Sequence, residues 1–165
     1  MTWVGIPTHN TRPLYNQLEN EIYPDVSCGP TSCAMILESK GIEGFTPDKI
    51  SQLLLDKYQS TGTTTSDLKY AMTEIGLTTR VFQNSSTNTL LRLQRLVDKD
   101  NPAIVQLNMG NNYHFVVLDE IVAMPNKELL FKIRDPAKGV HYGLKQSDFE
   151  SLWQHGDLLV TKPRN

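Results

Sequence analysis

Cysteine is scarce, with only Cys28 and Cys33 in 165 residues, and that excludes a disulfide-stapled scaffold. Both lie in Cys-Gly-Pro-Thr-Ser-Cys-Ala-Met-Ile-Leu, which reads as the first turns of a helix. Five residues of helix rise about 7.5 Å, beyond the roughly 7 Å that a disulfide spans between Cα atoms, so the two are not expected to bridge. Their spacing lacks a second Cys or His pair to complete a zinc set, and no metal site is expected. Long apolar runs are also missing, and none approaches the roughly 18 residues of a membrane span. The opening Met1–Asn10 lacks the basic and apolar regions of a secretory signal. Charge of one sign is missing too: a formal net charge of −2 gives no pull toward nucleic acid or an anionic membrane. There is no internal repeat, low-complexity tract or glycine-rich phosphate cradle. These absences leave a soluble globular protein, read as one domain over residues 1–165. It carries no visible address, so it is cytoplasmic as written or delivered as part of a larger protein.

What is present divides into two halves. Residues 1–27 are irregular, punctuated by Pro7, Pro13 and Pro24. Ser27 is the expected cap of a first helix, with Pro30 tolerated in its early turns and Gly41 as its stop. Thr46-Pro47-Asp48 opens a second helix with Ile50, Leu53 and Leu54 on one side. Thr65 or Ser66 opens a third, carrying Leu68, Ala71, Met72 and Ile75 before Gly76. A strand at 77–83 follows, then a fourth helix over 87–98 with Leu90, Leu91, Leu93, Leu96 and Val97. Three strand-like runs come next: 102–107, 113–118 and 129–134, separated by short turns. A short helix over 146–154 and a strand over 158–161 close the chain. Helices first and a mostly antiparallel sheet after is the α+β arrangement.

Three residues carry the chemistry. Cys28 starts the first helix, where the macrodipole and the free N–H groups favour thiolate; Cys33, beside Ala34 and Leu37, reads as inert core. His114 follows a polar turn at the start of an apolar strand, a firm mount for the base that a nucleophilic cysteine needs. His9, His141 and His155 lie in polar or Gly/Pro-containing segments and read as exposed. Asp135 ends the next strand. If the two strands pair about a turn near residues 124–126, the index sum is about 249, and 114 and 135 sum to 249. A carboxylate there accepts the imidazole N–H and fixes its tautomer. Gln17 is the candidate oxyanion donor with the Cys28 N–H, and Asn16 and Asn20 compete for that role. Trp3, Tyr15, Tyr23 and Trp153 are candidates to line a substrate groove, but aromatics scattered in this way are more often core or rim. Asp119 and Glu120 read as solvated.

The blocks Cys28–Leu37, His114-Phe-Val-Val-Leu and Arg134-Asp-Pro-Ala-Lys-Gly, in that order, resemble the bacteriocin-processing cysteine peptidase family. That family includes the double-glycine leader peptidase domains of peptide-exporting ABC transporters. The ending, with Leu144, Asp148-Phe149 and Trp153, is similar as well, and the resemblance spans about residues 17–161. It implies a papain-like fold and a Cys28–His114–Asp135 triad with a glutamine oxyanion donor. The implied reaction is hydrolysis of a peptide bond through a thioester, with no cofactor. One departure stands out. The family glutamine often precedes the cysteine by about six residues, where this chain has Ile22; Gln17 lies eleven before it and needs a longer loop.

The expected partner is a peptide or protein substrate, cut after small residues such as glycine, without nucleic acid or membrane insertion. Leader processing and a toxin or effector peptidase are both open, as is a larger parent protein or an inhibitor or immunity partner. An acyltransferase, transglutaminase-like enzyme or deamidase would use the same thioester. A non-catalytic peptide-binding module is the third reading, against which the three retained residues argue.

Overall fold

The structure, a computed structural model, describes residues 5–8, 11–83, 89–110, 112–153 and 157–163. Trp3, His9, His155, Gln154 and the expected start of the fourth helix at residue 87 lie outside the described residues. In chain order the elements are β1 (Ile6–Pro7), α1 (Cys28–Ser39), α2 (Pro47–Leu53), α3 (Thr65–Ile75), β2 (Leu77–Gln83), α4 (Thr89–Leu96), β3 (Ala103–Asn108), β4 (Tyr113–Ala123), β5 (Leu129–Asp135), β6 (Val140–Lys145), α5 (Gln146–Leu152) and β7 (Asp157–Pro163).

Local chemistry explains most boundaries. Thr46 accepts from the Lys49 N–H and Pro47 occupies the first turn of α2, as its sequence predicts. Helix α3 starts at Thr65, one of the two expected openings, and is capped by Thr64, which forms a reciprocal capping box with Asp67. Gly41, at φ 76°, ends α1, its N–H reaching Glu38 O while the Ile42 N–H reaches Leu37 O, each at 3.0 Å, a Schellman stop. The start of α1 departs from expectation. The Ser27 side chain makes no cap bond; its hydroxyl donates to Pro24 O at 3.3 Å and accepts from Asn20 Nδ2 at 2.9 Å.

Seven strands form one antiparallel sheet in the order β1-β6-β5-β4-β3-β7-β2. Strands β1 and β6 were not foreseen, and the first half of the chain contributes β1 and β2 to the sheet edges. Strand periodicity sends alternate residues to opposite faces. Ile104, Phe115 and Val117 meet the buried residues of α1, α2 and α3, including Met35, Ile50 and Leu68. Val105, Val116, Leu118, Phe131 and Ile133 form a second core with Leu93 of α4 and Phe149 of α5. Leu53 and Leu91, expected on buried faces, point to solvent at 39% and 57% exposure; each helix has a narrower apolar stripe than its leucine content suggested.

The β4–β5 hairpin also corrects a register. Next to the turn, Ala123 pairs with Leu129 and Glu120 with Lys132, so indices sum to 252; past Asp119, Leu118 pairs with Ile133 and Val117 with Arg134, summing to 251. Asp119 is the extra residue of a β-bulge. The expected sum of 249 missed both the turn centre and the bulge, so His114 and Asp135 are not directly opposite. The bulge matters for their faces. In the unbroken register Asp135 would pair with Val117, an odd number of residues from His114 and on the other face. One extra residue moves Asp135 to the Val116 position and therefore to the face of His114.

Candidate active site

Cys28 is the first residue of α1. The first intrahelical bond runs from Thr31 N to Ser27 O at 3.0 Å, so the Cys28 and Gly29 N–H groups precede the ladder, at the positive end of the dipole. Gly29 has no room for a side chain: a Cβ there would lie 2.5 Å from Thr63 Oγ1 and 2.9 Å from Leu68 Cδ2. The 61–65 loop and α3 thus close against the helix start. Cys33 is fully buried, and burial alone pushes its thiol up, far from reactivity. Both cysteines are free.

His114, near the start of β4, bonds through Nε2 to Asp135 Oδ1 at 2.6 Å. That distance is short for a charge-assisted bond. The diagonal placement across the hairpin is within reach of side chains this long. Burial pushes the imidazole down, but the hydrogen bond and charge of Asp135, and then those of Cys28, outweigh it and raise its pKa to about 10. The ring is therefore an imidazolium across the neutral range.

Asp135 is more fully held than the sequence suggested. Its Oδ1 also accepts the Ala137 N–H at 2.9 Å, and its Oδ2 accepts the Tyr142 hydroxyl at 2.7 Å. Tyr142 stands two residues along β6 from Val140, the direct partner of Asp135, so Asp135 has His114 diagonally on one side and Tyr142 diagonally on the other. Burial first, then the Asp135 charge, push the Tyr142 phenol well up, leaving it a fixed donor. Tyr142 escaped the sequence reading because β6 did. Its signal was the alternation of Val140, Tyr142 and Leu144 after the Lys138-Gly139 turn.

Gln17 reaches the site although it lies eleven residues before Cys28. Its own N–H donates to Pro136 O at 2.8 Å, in the turn just after Asp135. Gly139 in that turn, at φ 61°, allows Asn16 to approach so closely that a Cβ would meet its backbone at 3.2 Å. Gln17 is buried, and its Nε2, with two hydrogens, gives one to Pro24 O at 3.0 Å. Neither competitor lines the cleft that holds Cys28 and His114. Asn20 Nδ2 donates to Ser27 and Thr31, and Asn16 caps the turn that begins at Gln17.

A cleft of about 670 Å³ is lined by Cys28, His114, Asp135, Gln17 and Tyr142, with Val26, Met109, Tyr113 and Val140 supplying apolar surface. A second cavity of about 350 Å³ has Thr61, Thr63, Thr65, Gln106 and Phe115 in its wall, and Cys28, Thr61, Asn112 and Tyr113 line both. The cysteine thus stands where two recesses meet. Among the aromatics singled out in the sequence, Trp153 is core, Tyr23 lies against Tyr58 with the rings tilted at 49°, and Tyr15 packs against the helical core. His141 is half-buried beside Thr8, at 3.0 Å, rather than exposed. Asp119, expected in solvent, is buried against Arg134. Among the described residues no His, Cys, Asp and Glu cluster is suited to a metal, and no helix is long and apolar enough to cross a membrane.

Comparison with known proteins gives a consistent picture. The model of the peptidase C39 family matches residues 24–165, a span that holds Cys28, His114 and Asp135 and begins after Gln17. No curated protein matches the chain. Among solved structures, it is similar to the peptidase domain of Streptococcus ComA, a bifunctional ABC transporter involved in quorum sensing, at 22% identity and a TM-score of 0.69, covering 92% of this chain and 98% of that one. It is also similar to a double glycine motif protease from an AMS/PCAT transporter, solved with the leader peptide, at 23% identity and a TM-score of 0.60, covering 92% and 91%. A third is UfSP from C. elegans, at 17% identity and a TM-score of 0.60, covering 94% of this chain and 34% of that one.

Proposed function

The chain belongs to the peptidase C39 family, a cysteine-type peptidase with a papain-like α+β fold, and from that premise we propose that Cys28, His114, Asp135 and Gln17 are its catalytic centre. The observation that carries the assignment is the 2.6 Å bond from His114 to Asp135, in one cleft with the thiol at the start of α1. The Cys28 thiolate attacks the scissile carbonyl carbon, and the carbonyl electrons move onto oxygen. The Cys28 N–H and Gln17 Nε2 donate to that oxyanion. As the C–N bond breaks, the His114 imidazolium protonates the leaving amine and a thioester remains. The now neutral imidazole takes a proton from water, the hydroxide adds to the thioester, and the acid departs as the thiolate–imidazolium pair is restored. Asp135 holds the ring by its Nε2 side, which turns Nδ1 toward the sulfur.

The substrate we propose is a peptide carrying a double-glycine leader, lying extended across Cys28 between the two recesses. Tyr113 and Thr61 stand with Cys28 in the wall of both recesses, and the likeness to a double glycine motif protease solved with its leader peptide supports this substrate. Mass spectrometry of digested peptide libraries, wild type against Cys28→Ala, tests both levels. Cleavage after Gly-Gly by the wild type alone is expected. Equal cleavage by Cys28→Ala would remove the catalytic assignment. Cysteine-dependent cleavage at unrelated residues would remove only the leader assignment.

A further inference from the structure

Arg134 neighbours Asp135 in sequence yet faces the other side of β5, where it is fully buried. A buried guanidinium is costly unless its donors are matched, and here they reach three other parts of the chain. Nε donates to both oxygens of Asp119, at 3.0 and 2.9 Å, and Nη2 lies 2.8 Å from Oδ1. Nη1 donates to Pro13 O at 2.8 Å, to Ser39 Oγ at 2.9 Å and to Met35 O at 3.3 Å. Met35 and Ser39 form the last turn of the helix that begins at Cys28. Asp119 is the bulge residue of the strand that carries His114. Pro13 lies four residues before Gln17, and Arg134 itself precedes Asp135. Three of the four segments that bring the proposed catalytic residues to the cleft are therefore bonded to this side chain, and the fourth carries it.

The bulge gives the contact its consequence. Asp119 is the single residue whose insertion turns Asp135 to the face of His114, and Arg134 binds the carboxylate of that residue. Planar, bidentate recognition is what a guanidinium supplies and an ammonium does not.

We propose that the buried Arg134–Asp119 pair is a positioning device: it pins the β4 bulge and the far end of α1, and so sets the Cys28–His114–Asp135 geometry without touching substrate. This rests on the catalytic assignment above. A pair kept only for stability would be replaceable, because apolar residues of similar volume in place of both partners are often neutral or stabilising. A positioning pair is not replaceable in that way, since displacing a reacting group by about 1 Å can lower the rate about 100-fold.

The test uses alkylation of Cys28 by iodoacetamide as a function of pH, together with kcat and KM on a cleaved peptide. The groups facing His114 are Cys28 from α1 and Asp135 from β5, so the alkaline limb of the profile reports whether those contacts survive. In the double variant Arg134→Met/Asp119→Leu, we expect a folded protein, kcat lowered about 10- to 100-fold with KM nearly unchanged, and the alkaline limb moved to lower pH. Arg134→Lys, which keeps the charge and loses the fork, is expected to shift both in the same direction by less. A wild-type profile and kcat in the double variant overturn the proposal. If the double variant does not fold, a wild-type profile and kcat in Arg134→Lys do so. His114→Ala separates this from failure of the catalytic assignment: a His114→Ala profile equal to wild type removes that assignment, whereas network variants equal to wild type beside a changed His114→Ala remove only the positioning role.

Discussion

A thiol becomes a useful nucleophile through its neighbours, and the two cysteines of this chain differ in nothing else. Cys28 sits half-buried at a helix start beside an imidazolium; Cys33, one and a half turns on, is sealed among Ala34, Met35 and Leu37. A cysteine-directed electrophile under native conditions is expected to label Cys28 and to reach Cys33 only on unfolding; peptide mapping of the labelled sites reads the difference, and equal labelling would contradict it. His114→Ala removes the proposed proton donor and is expected to lower kcat by roughly 10²–10⁴-fold, while Asp135→Asn, which loses orientation and charge but keeps the ring, is expected to be milder. An inverted order in kcat would withdraw the orienting role from Asp135. Tyr142→Phe leaves a buried carboxylate oxygen short of its donor, with an expected loss of about 1–3 kcal/mol in urea unfolding. Cys28 and His114 were legible from one-dimensional context, a helix start and a strand start. Tyr142 was not, because its role exists only through pairing with a strand whose six residues include a glycine and two half-polar side chains.

Elements set where these residues meet. The turn after Asp135 does two things: its Pro136 carbonyl holds the Gln17 N–H, and its Gly139 lets Asn16 lie against the backbone. Gly139→Ala puts a Cβ into that contact and a side chain at φ 61°, at a cost of roughly 1–2 kcal/mol. It is expected to lower kcat by displacing Gln17 while the alkylation rate of Cys28 stays near wild type, since the thiolate and its imidazolium are untouched. An unchanged kcat would place Gln17 outside the oxyanion role, and a fall in both would mean that the substitution disturbs the thiolate–imidazolium pair as well. Gly29→Ala tests a different packing: its Cβ would press on Thr63 and Leu68, with an expected loss of about 1–3 kcal/mol in thermal or urea unfolding. The helices were readable from caps and spacing, down to Thr46-Pro47 and Gly76. The hairpin register was not, since a bulge at Asp119 leaves no mark in hydrophobic alternation.

Across the whole molecule, one sheet separates two cores and one titration couples the site to stability. His114 has a folded pKa of about 10 against an ordinary 6.5. Its protonated form is favoured by folding, so this contribution is fully present below about pH 6.5 and is lost as pH rises through about 10. Urea unfolding at pH 6 and pH 9.5 is expected to show the wild type weaker at the higher pH, with the difference reduced in His114→Gln. An undiminished slope in that variant would assign the effect to other groups.

The order of the helices and of every strand but β1 and β6, the candidate thiol and imidazole, and the family likeness were determined by the sequence, because propensity, capping and apolar spacing act within a few residues. Only tertiary structure decided that Asp135 and His114 share a face, that Tyr142 completes the carboxylate, and that Gln17 rather than Asn16 or Asn20 faces the cleft. Those depend on strand register and on contacts between segments as far apart as Pro13 and Arg134, where a one-residue bulge reverses the outcome and local composition carries no record of it.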